Sequence, residues 1–384
     1  MPTTSMTNTG NPPRRSGVAI GVRIAALMVL VSLISACRPP LPTAEAPIPD
    51  PHTFGEVGLA PGQFNYPRAL AADDRSLWVI DKSARIQRLD PETGRSLLLF
   101  ETPEHSVGKP CGLTIGPAPQ APGVRALYVA DTHYHRVLVY DIDADPPGLI
   151  HTFGGFGEEP GQFVYPTDVG LLLDEDGAVQ RLYVTEYGGN DRVTAFDTDF
   201  NPLFEFGRLG VLTDPAHAPA EGEVIFNRPQ SIAVRPATAD REAELVITDA
   251  CNHRIGRFTL QGDLIAWMGF ASPDRELGAL RYPYGLTLLN DNTALVTEFG
   301  GSRIQQFHLD TGEPLAIFGE PGRREGQLST PWALDVLDGR VYILDSDNNR
   351  VIAFRSPAPA LTPVETAAIE ARPQRLADRS ASTP

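Results

Sequence analysis

The sequence is poor in cysteine and in basic residues. Only Cys37, Cys111 and Cys251 occur in 384 residues, and three cysteines so far apart are not a disulfide framework. No Cys-x-x-Cys-His sequence is present, which excludes covalent attachment of a c-type haem to this chain. Lys and Arg number 32 against 48 Asp and Glu, a formal charge of −16. Because such a surface repels phosphate backbones, we expect no nucleic-acid partner.

Glycine and proline, by contrast, are abundant. The chain has 35 Gly and 36 Pro, while its 42% of hydrophobic and 21% of charged residues are ordinary for a globular protein. Many turn-forming residues between short apolar segments favour short strands over helices. The composition therefore predicts an all-β protein.

The N-terminus has the pattern of an export signal. Arg14, Arg15 and Arg23 are accompanied by no acidic residue, and the run over residues 24–36 is apolar. That run is too short to span a bilayer well, which favours a signal peptide over a membrane helix. An uncleaved signal anchor is the alternative.

The residues that end this run, Leu33–Cys37, resemble the lipobox of bacterial lipoproteins. The resemblance implies that residues 1–36 are a lipoprotein signal peptide and that Cys37 carries the lipid as the mature N-terminus. Acyl chains contribute about 0.8 kcal/mol per buried methylene group, so more than one chain anchors a protein stably. We therefore predict a lipoprotein of the cell envelope, held in a membrane and facing the periplasm or the exterior.

Two segments have the composition of unstructured chain. Residues 37–51 are rich in Pro and Ala, which predicts a flexible tether between the anchor and the folded domain. Residues 356–384 have a similar composition and are expected to form a disordered tail. The folded domain is thus predicted to span residues 52–355.

A repeat of about 50 residues fills this domain. An acidic residue that closes a β-branched run is followed, after a polar turn, by Arg-Ile or Arg-Val. The six pairs are Asp81 and Arg85, Asp131 and Arg136, Glu186 and Arg192, Asp249 and Arg254, Glu298 and Arg303, and Asp345 and Arg350. A proline opens each unit: Pro67, Pro110, Pro166, Pro229, Pro283 and Pro331. Because every unit has an acid–arginine pair, we interpret these pairs as structural.

The repeat resembles that of NHL-repeat propellers, in the segments Tyr128–Asp131 and Asp249–Ile255. The resemblance covers residues 52–355 and implies a six-bladed β-propeller with four strands in each blade. The last unit lacks a fourth strand, whereas residues 52–55 match residues 151–154 and have no blade of their own. We predict that strand 52–55 completes blade six and closes the ring; the alternative is that it belongs to the linker.

Candidate ligand-binding residues lie near the start of the innermost strands. The position after each proline varies in kind, and a ring of polar and aromatic groups at a channel mouth suits a ligand. Two nearby positions, elsewhere mostly small, carry a carboxylate. The predicted ligand-binding residues are Arg68, Thr167, Asp168, Gln230, Tyr284, Trp332 and Asp335. The alternatives are that the aromatic residues only pack in the mouth and that the carboxylates are hydrogen-bonded wall residues.

No catalytic or metal-binding set is recognisable. His133, His135 and His253 do not have the spacing of a zinc site, and Asp168 with Asp335 offers at most weak calcium binding. We therefore predict a monomeric, non-catalytic binding or scaffold propeller without a cofactor, for a protein, peptide or glycan partner. The alternative is a metal-dependent channel enzyme, because propellers similar in shape include gluconolactonase-like enzymes and lyases.

Overall fold

Strands form almost all of the regular structure in the computed structural model, which describes residues 41–213, 219–220 and 222–355. The predicted signal peptide, Cys37 and the predicted tail 356–384 lie outside the described residues. Within those residues, no helix is long and apolar enough to cross a membrane. Short 3-10 helices in this part of the chain span Thr132–Tyr134 and Ala250–Asn252.

Six four-stranded antiparallel sheets follow one another, as predicted for a six-bladed propeller. Three short strands come first: β1 (His52–Phe54), β2 (Glu56–Val57) and β3 (Gln63–Phe64). Blade one contains β4 (Pro67–Ala72), β5 (Leu77–Asp81), β6 (Arg85–Leu89) and β7 (Ser96–Glu101). Blade two contains β8 (Gly112–Ala118), β9 (Ala121–Asp131), β10 (Arg136–Asp141) and β11 (Gly148–Gly154). Blade three contains β12 (Tyr165–Leu173), β13 (Val179–Tyr187), β14 (Arg192–Phe196) and β15 (Pro202–Phe206).

The second half of the ring repeats this plan. Between blades three and four lie β16 (Arg208–Leu209) and β17 (Ile225–Phe226). Blade four contains β18 (Pro229–Arg235), β19 (Glu244–Asp249), β20 (Arg254–Thr259) and β21 (Leu264–Met268). After β22 (Phe270–Ala271) and β23 (Ala279–Leu280), blade five contains β24 (Pro283–Asn290), β25 (Thr293–Glu298), β26 (Arg303–His308) and β27 (Pro314–Phe318). Blade six contains β28 (Pro331–Leu337), β29 (Arg340–Asp345) and β30 (Arg350–Arg355).

The ring is closed by the first strand of the domain, as the sequence predicts. β1 pairs antiparallel with β30, with His52 opposite Ala353 and Phe54 opposite Val351. Blade six therefore has four strands although the chain leaves it after three. This pairing occupies a strand edge that would otherwise be free to pair with other chains.

The six acid–arginine pairs join each blade to the loop before it, which confirms their structural interpretation. In blade five, Arg303 Nε donates to Glu298 at 2.6 Å, and Glu298 also accepts from the backbone of Arg281 at 2.8 Å. Arg303 reaches the carbonyl of Ala279 in the same loop at 2.6 Å. The bonded carboxylates are buried, so unpaired partners here would be costly. In blade two, Asp131 leaves one buried oxygen without a partner among the described residues.

Short segments before the first strands of five blades, four of them with the sequence Gly-x-Phe or Gly-x-Leu, place an apolar side chain as a wedge between blades. Phe64, Phe163, Phe226, Leu280 and Leu328 are fully buried at equivalent positions. Each wedge packs where the previous blade ends. For example, Gly154 has φ +96° and a Cβ there would lie 2.6 Å from the Phe163 ring. Glycine is therefore required both by its conformation and by the close ring.

Residues 41–50 do not extend freely, which corrects the tether predicted over residues 37–51 for the part that the structure describes. The backbone of Ile317, in the outermost strand of blade five, donates to Pro42 at 2.7 Å. Glu45 bonds Arg275 at 2.6 Å and Arg303 at 2.8 Å. Ile48 is only 2% exposed and packs in an apolar cluster of blades five and six. Composition does not predict this packing, because a segment rich in Pro and Ala can still cover a strand edge.

The order of strands within the blades determines which loops and strand ends share a face of the ring. The innermost strands β4, β8, β12, β18, β24 and β28 pack side by side around the axis. Because strands alternate in direction, their first residues share a face with the turns between second and third strands and with the loops between blades. We call this face the mouth face, and the space between the innermost strands the channel.

Candidate binding site at the channel mouth

The channel is a cavity of about 350 Å³ lined by all six innermost strands. Small and aliphatic side chains such as Ala71, Val169 and Leu286 form most of its wall, with Asp168 and Asp335 as its carboxylates. Towards the mouth face, the wall ends in Cys111, Gln230, Tyr284 and Trp332. The wall is therefore mostly apolar with two carboxylates, whereas the mouth carries aromatic and polar side chains.

The sequence predicts Asp168 at the channel mouth, but the structure places it in the channel wall. It accepts hydrogen bonds from Ser231 Oγ at 2.6 Å, Ile232 N at 3.1 Å and Val169 N at 3.0 Å. Burial raises the pKa of the Asp168 carboxyl to about 6, although these donors favour its ionised form. Its oxygens therefore tie blade three to blade four.

Asp335 has the same role on the opposite side of the ring. It accepts from Ala72 N of blade one at 2.8 Å, from Thr287 Oγ1 of blade five at 3.1 Å and from Val336 N at 2.8 Å. Burial raises the pKa of this carboxyl as well. Across the described ranges, no three His, Cys, Asp or Glu residues are grouped to hold a metal ion. Asp168 and Asp335 thus act as hydrogen-bonded wall residues, the alternative that the sequence left open.

The other predicted residues divide into buried and mouth positions. Thr167 is fully buried and donates to the carbonyl of Pro229 at 2.7 Å, so it joins blades and is not exposed at the mouth. Gln230 is also buried, but accepts from Arg228 Nε at 3.0 Å. Tyr284 and Trp332 lie at the mouth, and each is only 5% exposed. Arg68 is half-buried beside them.

Aromatic side chains from different blades form a belt around the mouth. Tyr284 stacks on Phe299 with ring centroids 4.6 Å apart and meets Trp332 edge-on at 5.0 Å. Trp332 in turn lies 6.0 Å from Tyr66. On the other side, Tyr165 lies 5.3 Å from His133 and 5.2 Å from Tyr187. We call Tyr66, His133, Tyr165, Tyr187, Tyr284, Phe299 and Trp332 the mouth belt.

Two arginines lie against the rings of the mouth belt. The guanidinium carbon of Arg68 lies 4.7 Å from the centre of the Trp332 ring. That of Arg228 lies 4.5 Å from the Tyr187 ring and 5.1 Å from the Tyr284 ring. These distances are those of cation–π interactions, which hold each guanidinium in place.

Sequence reasoning missed Arg228 because it considered the position after each proline and not the position before it. The preceding residues are Tyr66, Lys109, Tyr165, Arg228, Tyr282 and Thr330. All of these except Tyr165 have φ between +47° and +71°. A column rich in aromatic and basic residues was visible in the repeat, but its left-handed conformation was not, since residues before proline normally favour extended backbone.

No family model and no curated protein matches this chain. Among solved structures, a protein of unknown function from Bacteroides thetaiotaomicron VPI-5482 is similar, with a TM-score of 0.55 and 14% identity over 80% of this chain and 76% of that chain. A streptogramin B lyase has a TM-score of 0.48 and 17% identity over 80% of this chain and 87% of that one. Virginiamycin B lyase from Staphylococcus aureus has a TM-score of 0.48 and 14% identity over 79% and 98%. At such identities, similarity shows the propeller fold alone.

Proposed function

We propose that this protein is a non-catalytic binding propeller of the NHL-repeat type, held at the cell envelope by a lipid on Cys37. Its mouth receives a protein, peptide or glycan partner. The lipid anchor rests on the lipobox-like segment Leu33–Cys37. Mass spectrometry of the mature protein tests it: a diacylglyceryl-modified Cys37 is expected, and an N-terminus elsewhere contradicts it.

The single observation that supports binding at the mouth is the mouth belt with its two arginines. Six blades contribute varied aromatic and cationic groups to one place, whereas the rest of the repeat is uniform. Uniform features such as the acid–arginine pairs maintain the ring. Groups that differ from blade to blade, converging at the end of a cavity, are the usual make-up of a ligand site.

Exposed apolar side chains surround this mouth on the same face. Val57 and Phe156 are each 72% exposed, and Phe270 is 47% exposed, in three different loops between blades. These loops follow the outermost strand of a blade, so they lie on the mouth face. Apolar groups exposed around a polar centre are typical of surfaces that contact a partner.

Catalysis by a channel-bound metal has less support. Asp168 and Asp335 already accept three hydrogen bonds each at 3.1 Å or less, which leaves little capacity for a cation. We expect metal analysis of the full chain to find no stoichiometric divalent ion, and chelator to leave the unfolding midpoint unchanged. A stoichiometric ion that Asp168→Asn or Asp335→Asn removes would favour the enzyme instead.

Arrays of peptides and glycans test binding at the mouth directly. The full chain in detergent is compared with Tyr187→Ala and Phe299→Ala, which remove parts of the mouth belt. The control is Leu264→Ala, because Leu264 is an exposed residue on the outermost strand of blade four. We expect ligands that bind the wild type and the control but bind both belt variants at least about tenfold more weakly, a loss of about 1.4 kcal/mol. Equal binding by all four proteins would place the site elsewhere.

A further inference from the structure

The two mouth arginines differ from the arginines of the repeat in having no carboxylate partner in the part of the chain that the structure describes. Arg68 donates from Nη1 to Cys111 Sγ at 3.7 Å, and its Nε is buried without an acceptor. Arg228 donates from Nε to Gln230 Oε1 at 3.0 Å. Among the residues that the structure describes, neither guanidinium has a carboxylate oxygen within 4 Å, whereas all six repeat arginines do. No described carboxylate therefore forms an ion pair with either of them.

The mouth belt positions these charges without neutralising them. Arg68 lies against Trp332, and Arg228 lies against Tyr187 and Tyr284. A ring face attracts a guanidinium but leaves its N–H groups free at the edge. Within the described ranges, both Nη groups of Arg228 are without a protein acceptor, on a side chain that the two rings hold in position.

Arg228 has the left-handed backbone conformation that recurs before five of the six prolines of the repeat. Arg228 has φ +63° and precedes Pro229. The left-handed conformation costs a non-glycine residue roughly 1–2 kcal/mol, and glycine adopts it freely. Because Tyr66, Lys109, Tyr282 and Thr330 share this conformation, it belongs to the repeat, and it is the side chain at this position that differs from blade to blade.

Neighbouring groups add to the positive charge. Lys109 is one of them: burial, followed by the positive charges of Lys109 and Arg68, lowers the pKa of His133 in the belt, so the imidazole itself adds no charge at pH 7. The carboxylate of Asp191 lies beside the backbone of Arg228 and accepts from three backbone N–H groups, of Gly188 at 3.2 Å, Gly189 at 3.1 Å and Arg228 itself at 2.6 Å. The mouth thus has cationic character in a chain whose formal charge is −16.

We propose that Arg68 and Arg228 form an oxyanion site, so that the ligand of the mouth presents a carboxylate or a phosphate group. The inference rests on the proposed function and specifies the chemistry of its ligand. The guanidinium fork matches either group with paired hydrogen bonds. Arg68 belongs to blade one and Arg228 precedes blade four, so they approach the mouth from opposite sides. The buried carboxylates Asp168 and Asp335 line the channel beyond it and oppose deeper entry of an anion.

Calorimetric titration with succinate and, separately, inorganic phosphate tests the proposal. The full chain in detergent is used at constant ionic strength, with chloride as the balancing anion. We expect saturable binding that is at least about tenfold weaker in Arg68→Gln and in Arg228→Gln, because each loses a charge-assisted hydrogen bond worth more than about 1.4 kcal/mol. The control Arg75→Gln changes an exposed arginine and should bind like the wild type. Binding of succinate alone identifies a carboxylate ligand, and binding of phosphate alone a phosphate ligand.

Two outcomes would overturn the proposal: no saturable binding of either anion to the wild type, or undiminished binding to both glutamine variants. If array ligands still depend on Tyr187 and Phe299 in that case, the oxyanion inference fails and the proposed function stands. Arg228→Gly separates binding from folding. Because glycine removes the left-handed strain, this variant should unfold no more easily than Arg228→Gln and should still fail to bind.

Discussion

Single residues in this propeller perform either a repeated structural task or a task unique to one blade. Glu298 and Arg303 represent the first kind, because an acid–arginine pair recurs in all six blades and its arginine bonds a carbonyl of the preceding loop in each. Asp168 represents the second, since only blade three carries an acid at that position. Its three close hydrogen bonds show that a unique charged residue can still be structural. Variation within a repeat is therefore a starting point for locating a site. The hydrogen-bond partners of each varying residue then decide whether it is structural or free to bind a ligand.

The buried carboxyl of Asp168 should make stability depend on pH. Burial raises its pKa in the folded protein from 3.8 to about 6. A raised pKa contributes stability below about pH 4, and this contribution is lost as the pH rises through 6. Relative to Asp168→Asn, the wild type should lose about 2 kcal/mol of unfolding free energy between pH 4 and pH 7. Urea unfolding across this range measures it.

The exposed Asp240→Asn variant serves as the control for this measurement, because it reports any effect common to the change from aspartate to asparagine. If the wild type instead became more stable than Asp168→Asn as the pH rises, the hydrogen bonds from Ser231, Ile232 and Val169 would favour the ionised carboxylate more than burial disfavours it.

At the level of elements, short segments outside the blades decide how the ring is held together. β2 with β3, β16 with β17, and β22 with β23 are two-residue parallel pairs that precede an innermost strand. They place the wedges Phe64, Phe226 and Leu280 between blades. Residues 41–50 also help to hold the ring together, because they cover the outer strand edge of blade five and place Ile48 against blades five and six.

The packing of residues 41–50 can be tested at Ile48. Ile48→Ala removes a buried side chain next to Phe318 and Leu328, so we expect the free energy of unfolding to fall by about 2–5 kcal/mol. Ile150→Ala, on the exposed outermost strand of blade two, should change it by no more than about 0.5 kcal/mol. Chemical denaturation measures both. Similar small effects in the two variants would mean that the segment behaves as the free tether that its composition indicates.

On the scale of the whole molecule, the ring depends on a contact between the two ends of the folded domain. Phe54 and Val351 are opposite each other in the sheet although they lie at opposite ends of the folded domain. This contact converts a row of blades into a closed ring. It also surrounds the channel on all sides, so that Arg68 of blade one and Trp332 of blade six come within cation–π distance.

Deletion of residues 52–55 from the full chain should open the ring. Blade six would keep three strands with β30 unpaired, so we expect a lower unfolding midpoint and association of chains through the free edge. The control deletes residues 381–384 of the predicted tail and should leave both properties unchanged. Light scattering and thermal unfolding measure the outcome. A monomer with the midpoint of the wild type would show that β1 is dispensable for closure.

The sequence by itself determined the number of blades, the strand order and the strand that closes the ring, because the repeat imposes the same hydrogen bonds and packing in every blade. It also located Arg68, Tyr284 and Trp332 near one mouth. Only the tertiary structure decided that Thr167, Asp168 and Asp335 join blades, that Arg228 belongs to the mouth and that residues 41–50 are packed. These features depend on contacts between blades or on an unusual backbone conformation, and neither is encoded in a local pattern that a single sequence reveals.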